Sequence, residues 1–168
     1  MKVLLNRLQI YNENLTLKDI ITHLNLDIVY EGDLNLKIEV PSIYQIGYEL
    51  IGFFEVGEEL TTYIHIYGRK ESRYMARFTP EEREKIFDNY FKYSFPALII
   101  TNESSIFPEM IKSAKKHRKT ILKSHMRTSA TIREAKFFLS KELAKEQMID
   151  GYVCLDVMGI GVLISGYE

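Results

Sequence analysis

The sequence predicts an α/β protein, a mixed sheet flanked by helices, and three observations carry that expectation. After residue 95 the segments alternate strand–helix–strand–helix–strand, an order that builds at least one parallel strand pair. The run Phe95-Pro-Ala-Leu-Ile-Ile-Thr101 is continuously apolar, as strands buried on both faces are. Thr79-Pro-Glu-Glu82 and Thr131-Ile-Arg-Glu134 each place a carboxylate three residues after a hydroxyl, the spacing that caps a helix start.

Taken in order, residues 1–14 alternate loosely and read as an edge strand or a tail. Residues 16–24 read as a short helix: Leu17, Ile20, Ile21 and Leu24 share one face, and Thr16 can cap the free N–H groups. Residues 27–30 form a brief strand and 31–33 a turn. Residues 36–40 alternate as a strand should, and Pro41 ends them. The stretch 41–55 reads as a loop and short helix closing over the core. Within it Glu49 is the residue with obvious chemistry, and Gly52 permits close backbone approach, so Gly47, Glu49 and Gly52 are ligand candidates beside that structural reading.

Residues 60–67 are the best strand, β-branched and aromatic with period-two alternation. Loop and short helix follow over 68–75. The helix opened by Thr79 and Pro80 buries Ile86, Tyr90 and Phe91. A helix over 108–116 turns Met110, Ile111 and Ala114 inward, and 120–123 is another strand. The capping box at Thr131 opens a helix to about Gln147, with Ile132, Ala135, Leu139 and Leu143 on its core face. Last come two apolar runs, 152–157 and 160–164, separated by Met158-Gly159, a hairpin signal. The second run delivers Ser165-Gly166, which is how a phosphate-binding loop begins, although only the first glycine is present.

Composition narrows the function. The 168 residues suit one domain with a real core, and 46% apolar with 27% charged residues is an ordinary globular balance. A net charge of −1 provides no overall field for nucleic acid or an anionic membrane, and no apolar run is long enough to span a bilayer. The single Cys154 has no disulfide partner, which fits a reducing cytosol and a cytoplasmic protein. His23, His65, His117 and His125 never fall at i,i+3 or i,i+4, so no metal site is expected; His65 reads as packed or surface-exposed. Lys112-Ser-Ala-Lys-Lys-His-Arg-Lys119, with Lys123 and Arg127 nearby, is the one concentrated charge. Phosphate or nucleic-acid binding is the sharp reading and a solvated helix face the favoured one.

Four strings point further. Leu155-Asp-Val-Met-Gly-Ile-Gly-Val-Leu-Ile-Ser-Gly166 resembles the segment V-D-V-Y-G-V-G-V-L-I-T-G that enters the nucleotide loop of bacterial HPr kinase/phosphorylase. Pro41–Phe54 is similar to that family's P-x-I-x-x-x-G-x-E-L-x-G-F-F, with Gly47, Glu49, Leu50, Gly52, Phe53 and Phe54 in register. Ile64-x-Ile66-x-Gly68-x-x-Glu71 followed by Thr79-Pro-Glu-Glu-Arg83 also looks like the family. The resemblance implies that residues 1–151 are the N-terminal domain, similar in fold to the N-terminal domain of Mur ligases. Residues 152–168 would then be the first hairpin of a kinase domain that continues beyond them.

The family's enzyme uses ATP or pyrophosphate, with Mg2+, to phosphorylate a serine of HPr. It also removes that phosphate by phosphorolysis, and so regulates carbon metabolism through the sugar phosphotransferase system. The resemblance implies a hexameric assembly and places the catalytic residues and metal ligands outside this chain, which is expected to be inactive by itself. Gly166, Tyr167 and Glu168 would open an incomplete phosphate loop. The fourth string is a departure. Counting back from Asp156, the family's H-G-V-L-V-D becomes Gly151-Tyr-Val-Cys-Leu-Asp156, so glycine stands where the family has histidine, or Asp150 if the register shifts by one. Two other readings stand beside an accessory kinase domain: a sensor of nucleotide sugars or sugar phosphates, and an oligomerisation module.

Overall fold

A computed structural model describes residues 15–51, 62–143, 147–149, 152–157 and 160–165. The expected tail at the start, Gly52, and the residues Asp150, Gly151, Gly166, Tyr167 and Glu168 lie outside the described residues.

Five strands form a mixed sheet in the order β1-β5-β4-β3-β2, where β1 is Asp27–Tyr30, β2 Ile43–Gln45, β3 Ile64–Tyr67, β4 Ala97–Ile100 and β5 Thr120–Lys123. Strands β2 to β5 run parallel and β1 pairs antiparallel with β5. The helices are α1 (Leu17–His23), α2 (Arg69–Met75), α3 (Pro80–Phe91), α4 (Pro108–His117) and α5 (Thr128–Glu142). A second, three-stranded antiparallel sheet pairs β6 (Gln147–Ile149) with β7 (Tyr152–Val157) and β7 with β8 (Ile160–Ser165).

The two-residue period of the strands divides the core. Ile64, Ile66, Ala97, Ile99 and Leu122 face one way, onto Leu17 and Ile20 of α1, Leu24 just after it, and Ala135, Phe138 and Leu139 of α5. Tyr67, Leu98, Ile100 and Ile121 face the other way, onto Met75 of α2, Phe87, Tyr90 and Phe91 of α3, and Met110 and Ala114 of α4. Helices therefore cover both faces, as parallel strands require. Each fully buried large side chain contributes roughly 1.5–3 kcal/mol by leaving water.

Most expected elements are present. Thr79 accepts from the Glu82 N–H at 3.3 Å and Glu82 accepts from the Thr79 N–H at 2.8 Å, so the capping box is real. Four expectations need correction. Residues 36–40 form no ladder strand: Ile38 donates to the Leu15 carbonyl, and Leu17 and Lys18 donate to those of Leu36 and Leu34, so this backbone serves the start of α1. Conversely β2, expected as loop, pairs in register with β3. Helix α5 begins a turn early, at Thr128. Thr131 is wholly buried inside it, donating to the Arg127 carbonyl at 3.1 Å, and Leu143 rather than Gln147 ends it. On α3, Phe87 takes the fully buried position expected for Ile86, and Ser113 is more buried on α4 than Ile111.

Candidate functional site

The ligand candidates fall at the end of β2. There the chain leaves the sheet through Ile46 and Gly47 into a single 3-10 turn, Tyr48–Ile51. Glu49 is 5% exposed and both its oxygens are engaged: Oε1 accepts from the Tyr44 hydroxyl and Oε2 from the Gly47 N–H, each at 2.6 Å. This carboxylate clamps the turn it belongs to. Gly47 is exposed, and a Cβ there would meet nothing within 4 Å.

Beneath the clamp lies an aromatic cluster built on β3. The ring of His65 stacks on Phe95 with centroids 4.4 Å apart, and its Nδ1 is 2.6 Å from the Tyr90 hydroxyl. Tyr44 tilts over the same imidazole at 5.6 Å. Burial pushes the Tyr90 phenol well above its ordinary pKa, with the charge of Glu49 adding to the shift. Of the two readings of His65, the structure bears out the packed one. His23 is likewise packed, stacked on Phe138 at 3.9 Å.

A polar cluster that motif reading does not single out sits where β3, β4 and β5 end, the edge at which parallel sheets usually hold their ligands. The Gly68 N–H donates to Glu71 Oε2 at 2.8 Å, and Gln45 reaches the other oxygen at 3.4 Å. The hydroxyls of Thr101 and Thr128 lie 2.9 Å apart. Lys123 Nζ donates to the carbonyls of Thr101 at 2.9 Å and Ser104 at 3.0 Å, and burial holds its pKa below the usual lysine value. Arg69 and Arg127 both approach Glu103, at 3.7 and 3.4 Å. The signal for this cluster in the sequence is a small or hydroxyl-bearing residue directly after each of these strands: Gly68, Thr101 and Ser124.

The cluster is closed on itself. A Cβ at Gly68 would come within 2.7 Å of Thr128 Oγ1, so the space between α2 and α5 is already filled. The arrangement orders the loops that follow β3, β4 and β5. Among the described residues no group of three or more histidine, cysteine or acidic side chains could hold a metal ion, and no helix is long and apolar enough to cross a membrane.

Comparison with known proteins adds what the geometry does not. Residues 15–139 match the family model described as HPr Serine kinase N terminus. A Fusobacterium nucleatum protein, provisionally named HPr kinase/phosphorylase, is 46% identical over 154 residues, which cover 91% of this chain and 25% of that protein. The HPr kinase/phosphorylases of Clostridium perfringens and Streptococcus pyogenes are each 31% identical across 90% of this chain and 48% of their own length. The chain thus spans between a quarter and about half of these curated relatives. A solved structure of the CBS and DRTGG domains of a Clostridium perfringens pyrophosphatase regulatory region covers 72% of this chain and 46% of that one, at 18% identity and a TM-score of 0.47.

Proposed function

The chain belongs to the HPr serine kinase N-terminal family, and from that membership we propose that it is the accessory, regulatory region of a bifunctional HPr kinase/phosphorylase. The observation that carries this is the match over residues 15–139, which takes in the five-stranded sheet, α1 to α4 and all but the last turn of α5. The intact protein would transfer phosphate from ATP or pyrophosphate to a serine of HPr with Mg2+, reverse the reaction by phosphorolysis, work in the cytoplasm and assemble as a hexamer. In that reading residues 1–151 are a domain with a fold like the N-terminal domain of Mur ligases. The antiparallel pair β7 and β8 leads into the nucleotide loop that Gly166, Tyr167 and Glu168 begin.

The chain by itself is then inactive. A nucleotide loop acts through several successive N–H groups and a lysine on the β/γ-phosphates, and one glycine cannot supply them. The test pairs two proteins. The full-length protein should phosphorylate purified HPr with ATP or pyrophosphate and release pyrophosphate in the reverse direction, while the 168-residue chain should bind no Mg-ATP by calorimetry. A micromolar affinity in the short chain, or HPr left unmodified by the long one, would defeat the reading. The glycine at position 151 refines it. If the family histidine serves as acid or base, full-length Gly151→His should gain about 10²–10⁴-fold in phosphoryl transfer.

A further inference from the structure

The fold divides the basic run at 112–119 into two parts. Lys112 reaches Glu84 at 2.6 Å and Lys116 reaches Asp88 at 2.8 Å, which His117 also meets at 2.8 Å, so these two lysine charges are balanced against α3. Arg118 and Lys119 are not. Helix α4 ends at His117, Arg118 adopts a left-handed φ of 55°, and the chain turns into β5. Among the described residues Arg118 and Lys119 form no ion pair.

These two residues line a cavity of about 320 Å³ at the amino-terminal edge of the parallel strands, opposite the polar cluster. Its far wall is the 36–40 segment, which contributes Lys37 and Glu39, and Phe95 is part of the lining. Ahead of that segment the chain packs closely on the start of β5: the Gly32 N–H donates to Thr120 Oγ1 at 3.2 Å, and a Cβ at Gly32 would lie 2.7 Å from the Arg118 carbonyl. The Lys119 ammonium sits 5.2 Å over the Phe95 ring, itself fixed by its stack on His65. Burial holds the Lys119 pKa below the usual lysine value, so the ammonium is partly stripped of water, and among the described residues no anion pairs with it.

Cations beyond a helix C-terminus complement its dipole. That accounts for Lys115 to His117, in the last turn of α4. It does not account for Lys37, which comes from a different segment to the same cavity, nor for an ammonium held against an aromatic ring. Among the described residues, three cations against one carboxylate leave an excess of two positive charges in the lining, the complement of a dianion. Guanidinium and ammonium groups are the usual partners of phosphate oxygens. The volume is at the small end of small-molecule sites, which run from ~300 to 1,000 Å³.

We propose that this cavity binds a small phosphomonoester, its phosphate held by Lys37, Arg118 and Lys119 and its apolar part against Leu36, Val40 and Pro96. The inference is independent of the kinase reading. It is tested by calorimetric titration of the 168-residue chain at low ionic strength with phenyl phosphate, inorganic phosphate and, as a singly charged control, benzoate. Phenyl phosphate should bind at submillimolar concentration, inorganic phosphate more weakly and benzoate not measurably. Lys119→Gln and Lys37→Gln should each weaken phenyl phosphate about tenfold or more. Arg118→Asn, which keeps a residue tolerant of positive φ, should do the same. Lys112→Gln, on the balanced face of α4, should leave affinity unchanged. Equal loss in Lys112→Gln would mean diffuse charge attraction and overturn the site. So would benzoate binding as well as phenyl phosphate, or no heat from phenyl phosphate up to ten millimolar.

Discussion

Arg83 and Glu109 form a two-pronged ion pair that ties α3 to α4: Nε lies 3.2 Å from Oε2 and Nη2 lies 3.2 Å from Oε1. The guanidinium also donates to the Phe78 carbonyl at 2.6 Å and lies 4.7 Å over the Phe107 ring. Both side chains are mostly enclosed, and Glu109 sits in the first turn of α4, where a negative charge is favoured. Hydrogen bonds from Arg83 hold the Glu109 carboxyl below its ordinary pKa of 4.5. A carboxyl depressed in the folded state adds stability above its unfolded pKa, and the gain is lost as pH falls through the folded value. Glu109→Gln should therefore cost about 2–3 kcal/mol at pH 7. In urea titrations its deficit should shrink steadily below pH 4.5. A deficit that is the same at pH 7 and pH 3 would mean that the charge contributes nothing.

Helix starts provide a second comparison. Glu82 closes a reciprocal cap with Thr79, whereas Glu134, at the same offset from Thr131, is paired among the described residues with its neighbour Arg133 at 3.0 Å. Glu82→Ala should lower stability by about 0.5–1 kcal/mol, and Glu134→Ala should change it by less than about 0.3. Thermal melts of the two variants side by side decide the matter, and equal losses would contradict the geometry.

These two glutamates show what was legible. Thr79-Pro-Glu-Glu is a local signal, since proline at the first helical position and a cap on either side of it need nothing from the rest of the chain. Thr131-Ile-Arg-Glu134 has the same letters. There, however, the Thr131 hydroxyl is 2.9 Å from Ser124 Oγ on the loop after β5, and that contact is invisible to a local pattern. Strand β4 could be read because its apolar run is buried on both faces. Strand β2 could not, because three residues with one buried side chain give no period. Residues 36–40 alternated convincingly, yet their hydrogen bonds go to the start of α1. The site followed the same rule. Glu49 was visible as a charge in an apolar stretch, while Lys37 meets Arg118 and Lys119 only through the tertiary fold, from segments far apart in sequence.

Glycines in the family-like strings need not be the constrained ones. A side chain at Gly47 would enter open space, so Gly47→Ala should shift stability by no more than about 0.5 kcal/mol. Gly32→Ala would drive a Cβ to 2.7 Å from a backbone carbonyl and should cost about 1–3 kcal/mol. Glu49→Ala removes the acceptor of two 2.6 Å hydrogen bonds and should cost about 2–3 kcal/mol. Chemical denaturation of the three variants checks the order. A severe Gly47→Ala would show that position 47 needs something beyond the turn.

The last prediction concerns a hydroxyl. Tyr67 ends β3 with its side chain fully enclosed, and among the described residues its oxygen has no hydrogen-bond partner. Ser72 lies alongside, and its hydroxyl accepts from the Ser105 N–H at 2.9 Å. Burial drives the Tyr67 phenol far above its ordinary pKa of 10.0, and Glu71 nearby adds to the shift. Tyr90 is raised for the same first reason. A phenol whose folded pKa is raised supports the fold fully below pH 10.0, and that support drains as pH climbs toward the folded value. Each such tyrosine should steepen the loss by about 1.4 kcal/mol per pH unit. Tyr67→Phe removes an unsatisfied polar atom, so at pH 7 it should be neutral or stabilising by up to about 1 kcal/mol. Above pH 10.0 its stability should fall less steeply than that of the parent, by one tyrosine's slope. Tyr90→Phe should share the shallower alkaline slope but lose about 1 kcal/mol at pH 7, because its hydroxyl meets His65. Urea unfolding from pH 7 to 11 separates the two, and a Tyr67→Phe variant weaker than the parent by more than 1 kcal/mol would show that the hydroxyl is bonded after all.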